Sequence, residues 1–184
     1  PGDEMGMRLR KFIDYFAHLS AAPDQFKDIA QNDTEFAKTN YFAKIAWLKN
    51  EIDDLYDPTY NDIIRVVGLT QFARGKLGDV VSLLSGRNFE TRQDEKEIAD
   101  LSFQKLEKGL YQFTNENKFK QFVQNILRGS GYDEPNMLIA RNAVNYAYAM
   151  YLRLLDIGEN HADANSLVRR LLAVSLMTGR HSGG

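Results

Sequence analysis

Tyr60-Asn61-Asp62-Ile63-Ile64-Arg65-Val66-Val67-Gly68-Leu69-Thr70-Gln71-Phe72 is the stretch on which the fold turns. Ile63, Ile64, Val66, Val67, Leu69 and Phe72 wrap most of the circumference of a helix, so this segment is expected to be buried on several sides. The glycines of Ala73-Arg74-Gly75-Lys76-Leu77-Gly78 break it. Asp79 is placed to cap a short apolar helix through Val80, Val81, Leu83 and Leu84, and Gly86 to close it as a C-cap. Ile98, Leu101, Leu106, Leu110 and Phe113 mark an amphipathic helix, and Phe119, Phe122, Val123, Ile126 and Leu127 another, ended by Gly129-Ser130-Gly131. Two longer helices follow, around Met137 to Asp156 and Ala164 to Met177.

Upstream the pattern is the same. Pro58 pushes Asp57 out of the helical region and so ends a preceding helix, in which Tyr41, Ile45, Leu48, Ile52 and Leu55 form a seam with Trp47 beside it. Pro23 suits the first turn of a short helix carrying Phe26 and Ile29. Met5, Leu9, Phe12, Ile13 and Phe16 share one stripe, with Asp3 placed as its cap and His18 near its end. No alternation of period two persists, so the expected architecture is all-α, a single multi-helix bundle of about eight or nine helices. One helical domain over residues 1–184 is expected, with a subdomain joint near residues 129–136 as its weakest point. A chain of 184 residues opening on Pro1-Gly2 reads as a fragment of a longer one.

Composition narrows the function classes. The chain has no cysteine, which fits a reducing compartment and a cytoplasmic location without disulfide staples. Charged residues interrupt every apolar run before the roughly 18 residues that a membrane span needs, so no membrane partner is expected. A net charge of −2 argues against a protein that coats nucleic acid by charge alone. Distribution says more than the total: residues 1–60 carry 7 Lys and Arg against 11 Asp and Glu, whereas residues 137–184 carry 5 against 3. Either a charge-mixed surface or a basic end facing phosphate or an acidic partner accounts for that tilt.

Catalytic signatures are sparse. With His18, His161 and His181 alone, and no His-x-x-x-His or Glu-x-x-His spacing, no preformed metal cage and no cofactor is expected in this chain. Asp53, Asp54 and Asp57 are read as a solvated helix boundary before a cation site. His161 is read as a loop residue. There is no Gly-x-Ser-x-Gly elbow, no Walker-type loop and no Gly-x-Gly-x-x-Gly, and Lys76 in Gly75-Lys76-Leu77-Gly78 has a helix-to-helix turn as its simplest explanation.

The arginines carry more information. Arg87 and Arg92 flank Asn88-Phe89-Glu90-Thr91 after a turn-forming glycine, and Arg180 and His181 lie in Thr178-Gly179-Arg180-His181-Ser182-Gly183-Gly184. Guanidinium groups among backbone amides hold phosphate or carboxylate; equally, they close carbonyl-rich helix ends. Arg169 and Arg170 must leave an otherwise apolar helix on neighbouring faces, so at least one is expected to pair inside the fold or with a missing domain. The nucleic-acid or anion-binding candidates are therefore Lys76, Arg87, Arg92, Arg169, Arg170, Arg180 and His181. Tyr146, Tyr148 and Tyr151 with Asn142 and Asn145 form either a stacking surface for bases or, as the preferred reading, a core with hydrogen-bonded phenols.

Several short motifs occur together in one order: Asp57-Pro58-Thr59-Tyr60, Ile64-Arg65-Val66, Phe72-Ala73-Arg74-Gly75-Lys76-Leu77, Leu84-Ser85-Gly86-Arg87-Asn88-Phe89, Asn142-Ala143-Val144-Asn145-Tyr146-Ala147-Tyr148, and Arg169-Arg170 through Ser182-Gly183. In this order and spacing, residues 58–184 resemble the helical region of the GmrSD-type, ParB/sulfiredoxin-like restriction family. The chain departs from that pattern at Leu171, where tryptophan is common, at His181, more often tyrosine, and at Gly184, often serine. The resemblance implies a parent protein with an N-terminal domain bearing an Asp-Gly-Gln-Gln-Arg motif, in many members a C-terminal HNH-type nuclease domain, and a role in defence against modified phage DNA. Neither motif occurs here. The implied chain is a helical scaffold or regulatory module without catalysis of its own. Its partners would be the missing N-terminal and C-terminal domains, with DNA or a second copy of the chain as further candidates, and any nucleotide would bind in the N-terminal domain. The competing readings are a nucleic-acid-binding module built on the arginines and, last, a self-contained carboxylate enzyme.

Overall fold

The structure, a computed structural model, describes residues 54–58, 60–84, 86–138 and 140–180. The described part is helical, with six α-helices and no sheet among these residues. The readings of Asp3, His18, Pro23, Trp47, Asp53, the Tyr41 to Ile52 seam and His181 lie outside the described residues. A 3-10 turn, Asp54–Tyr56, precedes α1 (Tyr60–Phe72), α2 (Leu77–Leu84) and α3 (Lys96–Phe113). Next, α4 (Glu116–Gln121) runs on as a π-helical turn, Phe122–Leu127, and a 3-10 turn, Arg128–Ser130; after a further 3-10 turn, Pro135–Met137, come α5 (Arg141–Asp156) and α6 (His161–Met177).

The wrapped pattern of α1 has the expected consequence. Ile63, Ile64, Val66 and Val67 are all buried, because α3 packs on one side of the helix and α5 on another. Gly109 makes the first of these contacts possible: a Cβ there would stand 2.5 Å from Val67 Cγ1. On α5 the small residues Ala143, Ala147 and Ala149 admit neighbouring helices closely, while Tyr148, Tyr151 and Leu152 fill the space between them. Phe113, Phe119, Phe122 and Tyr56 gather around Tyr148, with ring centroids 4.7 Å apart for Phe122 and 5.2 Å for Phe113.

Local capping sets the boundaries. The Asn115 side chain accepts from the Lys118 amide at 3.0 Å to start α4, and Asn160 accepts from the Asp163 amide at 2.9 Å to start α6. Four buried residues at i, i+1, i+4 and i+5, namely Phe122, Val123, Ile126 and Leu127, occupy the π-helical turn. Its i→i+5 bonding widens the turn and draws both pairs toward the core. Gly131, at φ 87°, then ends the segment.

Three expectations change in detail. Asp79 sits inside the first turn of α2, because the helix begins at Leu77 and the Lys76 carbonyl accepts from both the Asp79 and Val80 amides. Leu101 is 56% exposed, since the inward face of α3 is formed by Ala99, Ser102, Leu106, Leu110 and Phe113. On α6, read as apolar apart from Arg169 and Arg170, the inward face is only Ala164, Val168, Leu172 and Ser175, and Leu167 and Val174 are half exposed. No helix among the described residues is long and apolar enough to cross a membrane.

Candidate functional site

The most constrained polar residues lie where α1, α5 and the Asp54–Tyr56 turn meet. Asp62 belongs to the first turn of α1, where a carboxylate complements the amide-rich helix end. One of its oxygens accepts from Asn145 Nδ2 at 2.7 Å and the other pairs with Arg141 Nε at 2.9 Å. Asn145, fully buried on α5, uses its own Oδ1 to accept from the Tyr56 hydroxyl at 2.7 Å. The chain of bonds fixes the amide orientation, since only the oxygen accepts from a phenol and only the NH2 donates to a carboxylate. One helical turn further along α1, Arg65 donates to Asn142. Burial raises the Tyr56 pKa well above its usual value, the Asp62 charge raises it further, and Arg141 opposes the change, so the hydroxyl keeps the proton it donates.

Two other tyrosines of α5 are also committed. Tyr148, fully buried, donates to the Phe113 carbonyl at 3.1 Å, and burial again raises its pKa well above the usual range. The Tyr151 hydroxyl lies 3.2 Å from Gln121 Oε1 and 3.4 Å from His161 Nδ1. Tyr148, Tyr151 and Asn145 are therefore core, not a stacking platform for bases. His161 is the first residue of α6 rather than a loop residue, because the cap provided by Asn160 starts the helix immediately before it.

Lys76, Arg87 and Arg92 lie on two neighbouring turns. Residues 86–95 form a tight loop in which the Asn88 carboxamide oxygen accepts from the Glu90 and Thr91 amides, while Asn88 Nδ2 and Thr91 Oγ1 both donate to Glu95 Oε1. Gly86 takes φ 94°, and a Cβ there would stand 2.7 Å from the Glu95 carbonyl oxygen, so the loop closes only over a glycine. Arg87 is 3.7 Å from Asp94 and half exposed; Arg92 is exposed in the left-handed region at φ 59°. Lys76 is exposed in the α1–α2 turn. The link between the two turns is Arg74, whose guanidinium lies 5.2 Å from the centre of the exposed Phe89 ring. The adjacent glycines and arginines gave no sign of that stacking.

Arg169 and Arg170 line one groove on α6, and Arg180 is exposed in the turn that follows the helix. Arg169 does pair inside the fold, with a carbonyl rather than an acid: its Nε donates to Asn125 O at 2.6 Å, covering the open end of the π-helical turn. No group of three or more potential metal ligands occurs among the described residues.

Sequence reasoning missed Asp62, Arg65 and Arg141 as network members. The available signal was polar residues at intervals of three on two apolar helices, Asp62 with Arg65 and Asn142 with Asn145. No family model, curated protein or solved structure matches the chain.

Proposed function

We propose that the chain is a helical scaffold and regulatory module of a larger, nucleotide-dependent DNA-restriction protein, with catalysis and nucleotide binding lodged in other domains. The observation that carries this reading is that polar residues of the family-like motifs are spent on ties between helices, Arg65 with Asn142 among them. Asn145 and Tyr148, from the same motif, are likewise occupied in ties between helices. Polar residues that serve chemistry in this chain would face a cleft; these face one another, between packed helices. A module held in this way transmits the position of one neighbouring domain to another as a rigid body. Incubation of the chain with nucleoside triphosphates and with modified and unmodified DNA tests the reading. It predicts neither hydrolysis nor cleavage above background, and turnover by the purified chain contradicts it.

A nucleic-acid-binding module is the second reading, favoured by the Arg74 guanidinium stacked on exposed Phe89 beside exposed Lys76 and Arg92. It predicts DNA affinity that falls steeply with salt. A gel-shift titration at two salt concentrations separates it from the first, because a scaffold alone gives no salt-sensitive retardation.

A further inference from the structure

The groove on α6 has properties that neither the core network nor the 86–95 loop shares. It measures about 430 Å³ and is lined by Ala162, Asn165, Ser166, Arg169 and Arg170, a stripe that repeats with the helical period along one side of the helix. Two of the five are cations and none is an acid. Arg169 is pre-positioned: the Asn125 carbonyl holds its Nε, and the side chain lies across Gly129, where a Cβ would stand 2.3 Å from Nη2. Arg170 is exposed and forms no ion pair among the described residues. Two buried polar atoms here lack a hydrogen-bond partner among the described residues. They are Asn165 Oδ1, on the groove wall, and Ser130 Oγ, one residue beyond the glycine under Arg169.

The two cations and the absence of a lining acid favour an anion. A guanidinium held on one edge loses little freedom when it binds an oxyanion with the other. Asn165 and Ser166 line the groove as well, and a carboxamide NH2 and a hydroxyl are both neutral donors to an oxyanion. A neighbouring acid would neutralise the site, and none lines it. We propose that this groove binds a phosphate group, with Arg169 and Arg170 as the charged clamp and Asn165 and Ser166 as neutral donors. The proposal is independent of the scaffold reading, because it requires neither DNA nor a further domain.

Calorimetric titration of the whole chain with inorganic pyrophosphate tests it. Arg170→Gln removes an exposed charge without touching the core and is expected to weaken binding about tenfold, the loss typical of one charge-assisted contact. Lys105→Gln, the same charge change at an exposed position of α3, is expected to leave binding within about twofold. Gly129→Ala should also weaken binding by displacing the Arg169 guanidinium, with circular dichroism reporting whether the helices persist; if that variant unfolds, Arg170→Gln still decides. Absence of binding at millimolar pyrophosphate overturns the proposal, as does an equal loss in Arg170→Gln and Lys105→Gln. Competition by a short DNA duplex then identifies the source of the phosphate. Displacement of pyrophosphate by the duplex, with the same loss in Arg170→Gln, points to a nucleic-acid backbone, whereas failure to compete points to a small phosphate compound.

Discussion

Two polar regions of this molecule contrast sharply. At the junction of α1 and α5, the buried amide and carboxylate of Asn145 and Asp62 have partners distant in sequence. In the α6 groove, two arginines share a wall with Asn165, whose buried Oδ1 has no partner among the described residues. A saturated network specifies one arrangement of helices, since any shift leaves a buried polar group without its bond. An unsaturated one costs stability unless something outside the described chain completes it. The contrast assigns the first region to architecture and the second to recognition.

The largest expected effect comes from breaking the saturated side. Asn145→Leu removes the link between Tyr56 and Asp62 and leaves a buried carboxylate oxygen without its donor, at a cost of about 3 kcal/mol. Urea unfolding checks this, and a loss below about 1 kcal/mol would mean that the network is incidental.

Alkaline titration sharpens the same side. Burial raises the folded-state pKa of Tyr56 and Tyr148 above the unfolded value of about 10. Their contribution is fully present below that value and is lost as pH rises toward the folded pKa, because the unfolded chain releases protons that the folded chain retains. Each tyrosine should lower stability by about 1.4 kcal/mol per pH unit above pH 10. Unfolding midpoints that stay level through this window would contradict the burial of both hydroxyls.

The smallest effect belongs to the loop. Arg87→Gln removes an exposed pair 3.7 Å long and should change stability by less than about 0.5 kcal/mol in thermal unfolding. A larger loss would show that the loop contributes to the fold beyond its local closure.

Much of the helical pattern was legible because burial is periodic: Ile63 to Phe72, Phe119 to Leu127 and the long α5 all emerge as helices. Gly86 and Gly131 were legible as helix ends because both take positive φ. The exposure of Leu101 was not, since a helix can carry more apolar residues than its neighbours cover. The polar network was hidden for a different reason. Asp62 and Asn145 are 83 positions apart, and local spacing records what one helix presents without recording which helix receives it. Of the anion candidates, sequence placed Arg169 and Arg170 side by side, but the carbonyl that orients Arg169 comes from a π-helical turn that apolar periodicity alone does not reveal.

Tyr56, Asn145 and Asp62 act as one tie between elements. A double-mutant cycle on Tyr56→Phe and Asn145→Ala, read by urea unfolding, tests it most directly. A coupling energy of about 1 kcal/mol or more is expected between the two substitutions. Effects that simply add, within about 0.3 kcal/mol, would contradict it.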